Sequence, residues 1–294
     1  IRDTTVNEIA EVVEAASRSE VIIAVVGGSS ARDFKTSYQE TGAAIADEKS
    51  ISDMECGEGF DRATLTLLGK QQDLLNALKA TGKPLIVVYI EGRPLDKVWA
   101  SEYADALLTA SYPGQEGGYA IADVLFGDYN PAGRLPVSVP RSVGQIPVYY
   151  NKKAPCNHDY VEQAASPLYT FGYGLSYTTF EYSDLQVMRK SPCYFEVSFK
   201  VKNTGSYDGE EVAQLYLRDE YASVVQPLRQ LKCFERFFLK RGEEKEIFFT
   251  LTEKDLSIID RNMKRVVETG DFRIMIGASS DDIRLTKDIS VESL

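Results

Sequence analysis

The chain has 294 residues, 44% hydrophobic and 26% charged, with a formal net charge of −11; that is more than one ordinary domain uses and argues for two cores. The acidic balance repels a phosphate backbone and no Lys/Arg cluster offsets it, which excludes nucleic acid as an expected partner. No apolar run approaches the roughly 18 residues needed to span a bilayer, so no membrane segment is expected. Cys56, Cys156, Cys193 and Cys233 lie far apart with no CxxC pair, which argues against a zinc site or a small disulfide framework.

Residues 4–18 predict an amphipathic helix, with Val6, Ile9, Ala10, Val13 and Ala16 at helical spacing and Thr5 with Glu8 placed for a capping box. Val21 to Val26 is a short apolar run ending at Gly27-Gly28, the pattern of a strand buried on both faces of a parallel sheet. The unit then recurs. Residues 64–81 carry Leu67, Leu68, Leu74, Leu75 and Leu78 at helical spacing, Gly82 follows as a C-cap, and Leu85 to Ile90 reads as a second buried strand. Ala106 to Ala110 is a third strand candidate, followed by a turn at Pro113-Gly114 and a helix over 118–126. Helix and buried strand in alternation predict an α/β layer with parallel strands.

From Asp128 to about Phe180, Pro131, Pro136, Pro140, Pro147, Pro155 and Pro167 break any periodicity and aromatic residues are frequent, which predicts an ordered strap packed on the folded domains. Alternation takes over after it. Cys193, Phe195, Val197, Phe199 and Val201 face one way, and Tyr194, Glu196, Ser198, Lys200 and Lys202 the other. With strand candidates at 212–217, 246–251 and 272–276 and turns at Asn203-Thr204-Gly205 and Arg241-Gly242, this predicts a β-sandwich. The fold class is thus α/β followed by all-β: an α/β domain over 1–127, a strap over 128–180 and a sandwich over 181–294.

The stretch richest in chemistry is Glu55-Cys56-Gly57-Glu58-Gly59-Phe60-Asp61-Arg62, in a loop between the first strand and the helix expected from Thr64. A carboxyl group there suits protonation of a glycosidic oxygen, and an aromatic face suits packing against sugar C–H bonds. The plainer alternative is a solvated acidic loop in which Asp61 caps the following helix and Arg62 pairs locally.

Gly57-Glu58-Gly59-Phe60-Asp61-Arg62, then Gly69-Lys70-Gln71-Gln72 and Gly82-Lys83-Pro84, resemble the second domain of family 3 glycoside hydrolases. Asn130-Pro131-Ala132-Gly133-Arg134-Leu135-Pro136 and the segment from Pro167 to Phe180 are similar to the stretches C-terminal to that domain in the same family. Val201-Lys202-Asn203-Thr204-Gly205 and Glu211-Val212-Ala213-Gln214-Leu215-Tyr216 resemble its fibronectin type III-like domain. The resemblance implies an α/β sandwich followed by a fibronectin III-like sandwich. It also implies a (β/α)₈ barrel carrying the nucleophilic Asp and opening strands of the α/β domain, neither of which this sequence holds; a companion barrel-containing chain or fragment is therefore an expected partner.

By motif position, Glu58 corresponds to the general acid/base and Phe60 to a wall on the leaving-group side of the pocket, with Glu55 in reserve. A retaining mechanism sets two carboxyl groups roughly 5–5.5 Å apart. The implied activity is that of an exo-acting, retaining β-glucosidase or β-xylosidase on the non-reducing ends of β-linked plant-wall oligosaccharides, without metal or other cofactor, in a secreted or periplasmic setting. A non-catalytic carbohydrate-binding or scaffolding fragment is the alternative. Tyr149, Tyr150 and Tyr160 are expected to pack between domains and Trp99 in a core.

Rival chemistry fits less well. Gly27-Gly28-Ser29-Ser30-Ala31 approaches a nucleophile elbow, but Ala31 stands at its last glycine and the sole histidine, His158, sits in the proline-rich strap. Gly27-Gly28 also lacks the third glycine of a dinucleotide fingerprint.

Overall fold

The computed structural model describes residues 6–30, 37–42, 56, 61–154 and 158–292. The chain forms two compact units, Ile1–Ala122 with Pro140–Ile146, and Asp123–Val139 with Pro147–Leu294.

In the first unit the described elements are α1 (Val6–Ser17), β1 (Ile22–Gly27), α2 (Gln71–Lys79), β2 (Leu85–Ile90), α3 (Val98–Tyr103), β3 (Ala106–Thr109) and α4 (Gly117–Phe126), whose C-terminal end belongs to the second unit. The strands form a parallel sheet in the order β1-β2-β3, with Ile22 opposite Leu85 and Ile86 opposite Ala106. Its core joins Ile22, Ala24 and Val26 to Leu85, Val87 and Tyr89 and to Leu74, Leu75 and Leu78 of α2. These leucines sit on one face because they recur at helical spacing.

Two expectations are corrected here. The helix expected over 64–81 begins only at Gln71. Gly69 takes φ +63, outside the helical basin, so the leucine period before it is met by coil even though Leu67 is buried. Downstream, Gly82 at φ +73 turns the chain and its N–H reaches the Lys79 carbonyl at 3.1 Å. The second correction concerns β1, which is buried on one face only: Ile23 and Val25 are 44% and 61% exposed. Central β2 does meet the expectation, with Val87 and Val88 on opposite faces and both fully buried.

The second unit is antiparallel. β4 (Phe180–Ser191), β5 (Tyr194–Asn203) and β8 (Glu244–Leu251) form one sheet in the order β4-β5-β8. β6 (Gly209–Asp219), β7 (Gln230–Leu239), β11 (Gly270–Gly277) and β12 (Ile283–Val291) form another, ordered β12-β11-β6-β7. The one-turn α5 (Glu253–Leu256), held by a capping box from Thr252 and Asp255, leads to a small hairpin of β9 (Ile258–Ile259) and β10 (Arg265–Val266). The inward row Cys193, Phe195, Val197, Phe199 and Val201 is buried as the alternation predicts, against Leu215, Leu217, Ile247, Leu251, Ile274 and Ile276. Strands β4, β7 and β12 go beyond the sequence reading. β7 puts Phe234 and Phe238 outward while Phe237 and Leu239 point inward, so it has apolar side chains on both faces and no alternation to read.

The described residues of the proline-rich segment belong to this unit except 140–146, which belong to the first. Leu135 N–H donates to the Tyr173 carbonyl at 2.9 Å and Gly172 N–H to that of Leu135 at 2.8 Å, while Val139 bridges Tyr169. Arg134 anchors it, its guanidinium pairing with Glu211 in a buried site and donating to the Gly174 carbonyl. A Cβ on Gly174 would come within 2.1 Å of the Gly133 carbonyl oxygen, so the close approach of these two loops requires glycine. Of the three tyrosines expected to pack, Tyr150 stacks on Phe171 at 4.2 Å, whereas Tyr149 is exposed at 66% and Tyr160 at 39%.

Candidate functional site

Glu58, Phe60 and Glu55 lie outside the described residues. What is described are their sequence neighbours Cys56, Asp61 and Arg62 and the carboxyl ends of the three parallel strands, the edge at which open α/β sheets bind ligands.

At the end of β1, Gly27 has φ +138, and a Cβ there would fall 1.9 Å from the Ile90 carbonyl oxygen. Only glycine lets the two strand ends close up. The Gln71 amide, 5% exposed, then clamps this glycine: Gly27 N–H donates to Oε1 at 2.8 Å, and Nε2 donates to the carbonyls of Gly27 at 2.9 Å and Leu68 at 3.1 Å. Gly28 N–H completes the junction by donating to Ile90 O at 2.9 Å. The first turn of α2 and the ends of β1 and β2 are thus one hydrogen-bonded block.

At the end of β2, Glu91 and Lys97 form a buried ion pair, 5% and 1% exposed. Lys97 Nζ lies 2.6 Å and 2.7 Å from the two carboxylate oxygens, donates to Leu95 O at 3.2 Å and sits 4.5 Å from the Tyr89 ring centroid. Leu95 N–H donates to Glu91 Oε2 at 3.0 Å. Burial pulls the Lys97 ammonium below its ordinary range, opposed by the Glu91 charge. With both carboxylate oxygens engaged, Glu91 is a structural brace that fixes the loop from 91 to 97.

Gly92 follows that brace. A Cβ at this position would lie 2.5 Å from the Tyr112 ring and 2.7 Å from Cys56 Sγ. The thiol two residues before Glu58 therefore rests against the β2 loop and Tyr112, and Cys56 is a partly buried free cysteine. Ser111, at φ 46, accepts the Glu91 N–H at 3.2 Å and ties the end of β3 to the same loop.

Asp61 is exposed, and no helix begins at Thr64 for it to cap, which removes that part of the plainer alternative. Arg62 does pair locally, donating to Thr66 O at 2.5 Å. His158 is exposed, and Trp99 packs against the first core with Tyr103 at 5.3 Å, as expected. Sequence reading missed the roles of Gln71, Glu91 and Lys97; polar residues among other polar residues and in loops carry no spacing that marks them as buried partners.

The pattern of the glycosyl hydrolase family 3 C-terminal domain matches residues 1–177, and that of the fibronectin type III-like domain matches residues 211–280. The chain is 43% identical over 290 residues to a periplasmic β-glucosidase of Salmonella typhimurium, covering 93% of this chain and 35% of that protein. It is 41% identical over 283 residues to a β-xylosidase of Formosa agariphila, covering 93% and 36%. A solved β-glucosidase from Erythrobacter marinus superposes with a TM-score of 0.86 at 38% identity, over 97% of this chain and 36% of that one. The chain thus spans about a third of the length of the proteins it matches. It belongs to glycoside hydrolase family 3, of which it holds the C-terminal domain and the fibronectin type III-like domain.

Proposed function

We propose that this chain is the C-terminal part of a retaining, exo-acting β-glycosidase that removes glucosyl or xylosyl units from the non-reducing ends of plant-wall oligosaccharides. Glu58 is its general acid/base, Phe60 walls the leaving-group side of the pocket, and Glu55 is the reserve for the acid/base role. The functional partition is an α/β domain over 1–127, a strap over 128–180 and a sandwich over 181–294. A barrel, on a companion chain or fragment, supplies the nucleophilic carboxylate, and the assembled enzyme works in a secreted or periplasmic compartment.

The observation that carries this reading is the match of nearly the whole chain to both a β-glucosidase and a β-xylosidase. The brace at the strand ends supports it physically. Gln71, Glu91 and Lys97 rigidify the frame on which Cys56 rests, and an acid must be held within hydrogen-bond reach of the leaving oxygen.

The chemistry assigns one group two duties. In the first step the protonated carboxyl of Glu58 donates to the departing glycosidic oxygen while the barrel carboxylate attacks the anomeric carbon; in the second, the Glu58 carboxylate takes a proton from water as it displaces the enzyme ester. In the complete protein, Glu58→Ala is expected to lower disaccharide hydrolysis by about 10²- to 10⁴-fold. Aryl glycosides with activated leaving groups need no protonation, so the glycosyl-enzyme should form and accumulate, and azide should restore turnover. Equal losses for good and poor leaving groups, without azide rescue, would move the role to Glu55.

A further inference from the structure

The second unit holds a cleft of about 960 Å³, at the upper end of the roughly 300–1,000 Å³ typical of small-ligand sites. Five aromatic side chains line it: Phe126, Tyr129, Tyr177, Tyr207 and Phe238. Each is between 41% and 76% exposed, so a concave surface collects rings that a folded protein ordinarily buries.

Two of these rings are held in place. Tyr177 OH donates to Val124 O at 2.7 Å, and Tyr129 OH donates to Glu210 Oε2 at 2.7 Å with the Arg236 guanidinium on both. Asn130 locks the wall between them: its Nδ2 donates to Asp208 O at 2.9 Å, and its Oδ1 accepts from Ser176 Oγ at 2.9 Å and Tyr177 N–H at 2.8 Å. The hydroxyls of Tyr129 and Tyr177 are tied down while the two residues stay 41% and 47% exposed. Such a surface loses little rotamer freedom when a ligand arrives.

The polar lining selects the ligand. Asp128, Asp208 and Glu210 contribute carboxylates and, among the described residues, no Lys, Arg or His lines the cleft, which disfavours phosphates, sulfates and acidic sugars. Hydrogen bonds from Arg236 and Tyr129 hold the Glu210 carboxyl below its usual range, so it is an acceptor at neutral pH. Arg236 also offsets the Glu210 charge, and the Arg241 N–H occupies Asp208 Oδ1 at 2.7 Å, which weakens the claim of a cationic ligand. Flat apolar faces beside acceptors suit a neutral pyranose, whose C–H face stacks and whose hydroxyls donate.

We propose that this cleft is a carbohydrate-binding site in its own right, taking a short neutral β-linked oligosaccharide. The choice of sugar rests on the glycosidase reading; the cleft geometry does not.

The test uses the complete protein and sulfur-linked cellotetraose and xylotetraose, which resist hydrolysis, in calorimetric titrations beside a Phe126→Ala/Phe238→Ala variant. Both phenylalanines are more than half exposed, so the fold is expected to survive their removal. The wild type should show two classes of site for at least one of the sugars, and the variant should lose one class or weaken it by about tenfold or more, with aryl-glycoside hydrolysis within about twofold of wild type. Tyr207→Ala should weaken the same class. A single class in the wild type, or titrations unchanged by both variants, would overturn the proposal, as would tetramethylammonium binding that the variants abolish while sugar binding persists. If the complete protein hydrolyses no glycoside yet the variants still lose a sugar site, the glycosidase reading fails and the cleft assignment stands.

Discussion

The two sheets differ in how their outward faces are made. On β5 the positions opposite the core are Tyr194, Glu196, Ser198, Lys200 and Lys202, and on β8 they are Glu244, Glu246, Phe248 and Thr250; on these two strands polar side chains predominate where the strand meets water, although Phe248, like Phe234 and Phe238 of β7, is exposed. On β1 the open positions are Ile23 and Val25. The sandwich closes its core with residues of one unit, its two sheets covering each other. β1 has the composition of a strand buried on both faces, and the described residues cover only one. The difference teaches that the sandwich core closes within its own unit, while the outer face of β1 is left open by the described residues.

The largest effect expected from a test of this contrast is in the sandwich. Phe199 is fully buried, stacked on Tyr182 at 6.0 Å and tilted against Phe249 at 5.7 Å. Phe199→Ala should cost about 3–5 kcal/mol through lost burial and the cavity left behind. Followed by differential scanning calorimetry, it should lower a sandwich transition and leave an α/β transition in place; a common shift would show a single cooperative unit and erase the contrast.

Gly92→Ala probes the α/β side with a smaller expected cost of about 1–3 kcal/mol, since the new methyl overlaps the Tyr112 ring and Cys56 Sγ. The α/β transition should fall while the sandwich transition holds. In the complete enzyme kcat should drop more for poor than for good leaving groups if Cys56 steadies the Glu58 loop. An unchanged leaving-group dependence would separate the Cys56 contact from catalysis.

Val25→Glu sharpens the comparison most directly. On the 294-residue chain, with Val25 at 61% exposure, the change should stay within about 0.5 kcal/mol. In the longer protein it should cost several times that, because a covered face would bury an unpaired carboxylate. Equal, small costs in both settings, read from urea denaturation midpoints, would show that nothing covers β1.

Period alone determined much of this molecule. The strict alternation from Cys193 to Val201 predicts which side chains enter the sandwich core, because in a strand every second residue faces the same way. The leucines of α2 and the apolar run of β2 likewise locate the α/β layer, and the Gly57-to-Arg62 motif with its downstream partners carries the family. The rest depended on contacts distant in sequence. Whether β1 is covered on its second face is a property of what packs there, not of its own residues. β7 hid behind phenylalanines on both faces, and Gly69 ended a leucine period that looked helical. The Gln71 clamp and the aromatic cleft bring together groups from separate elements, among them Gln71 with Gly27 and Tyr129 with Glu210, and the Glu91–Lys97 brace closes one short loop. Composition and spacing hold no record of such pairs; only the closed backbone decides that these polar groups meet each other instead of water.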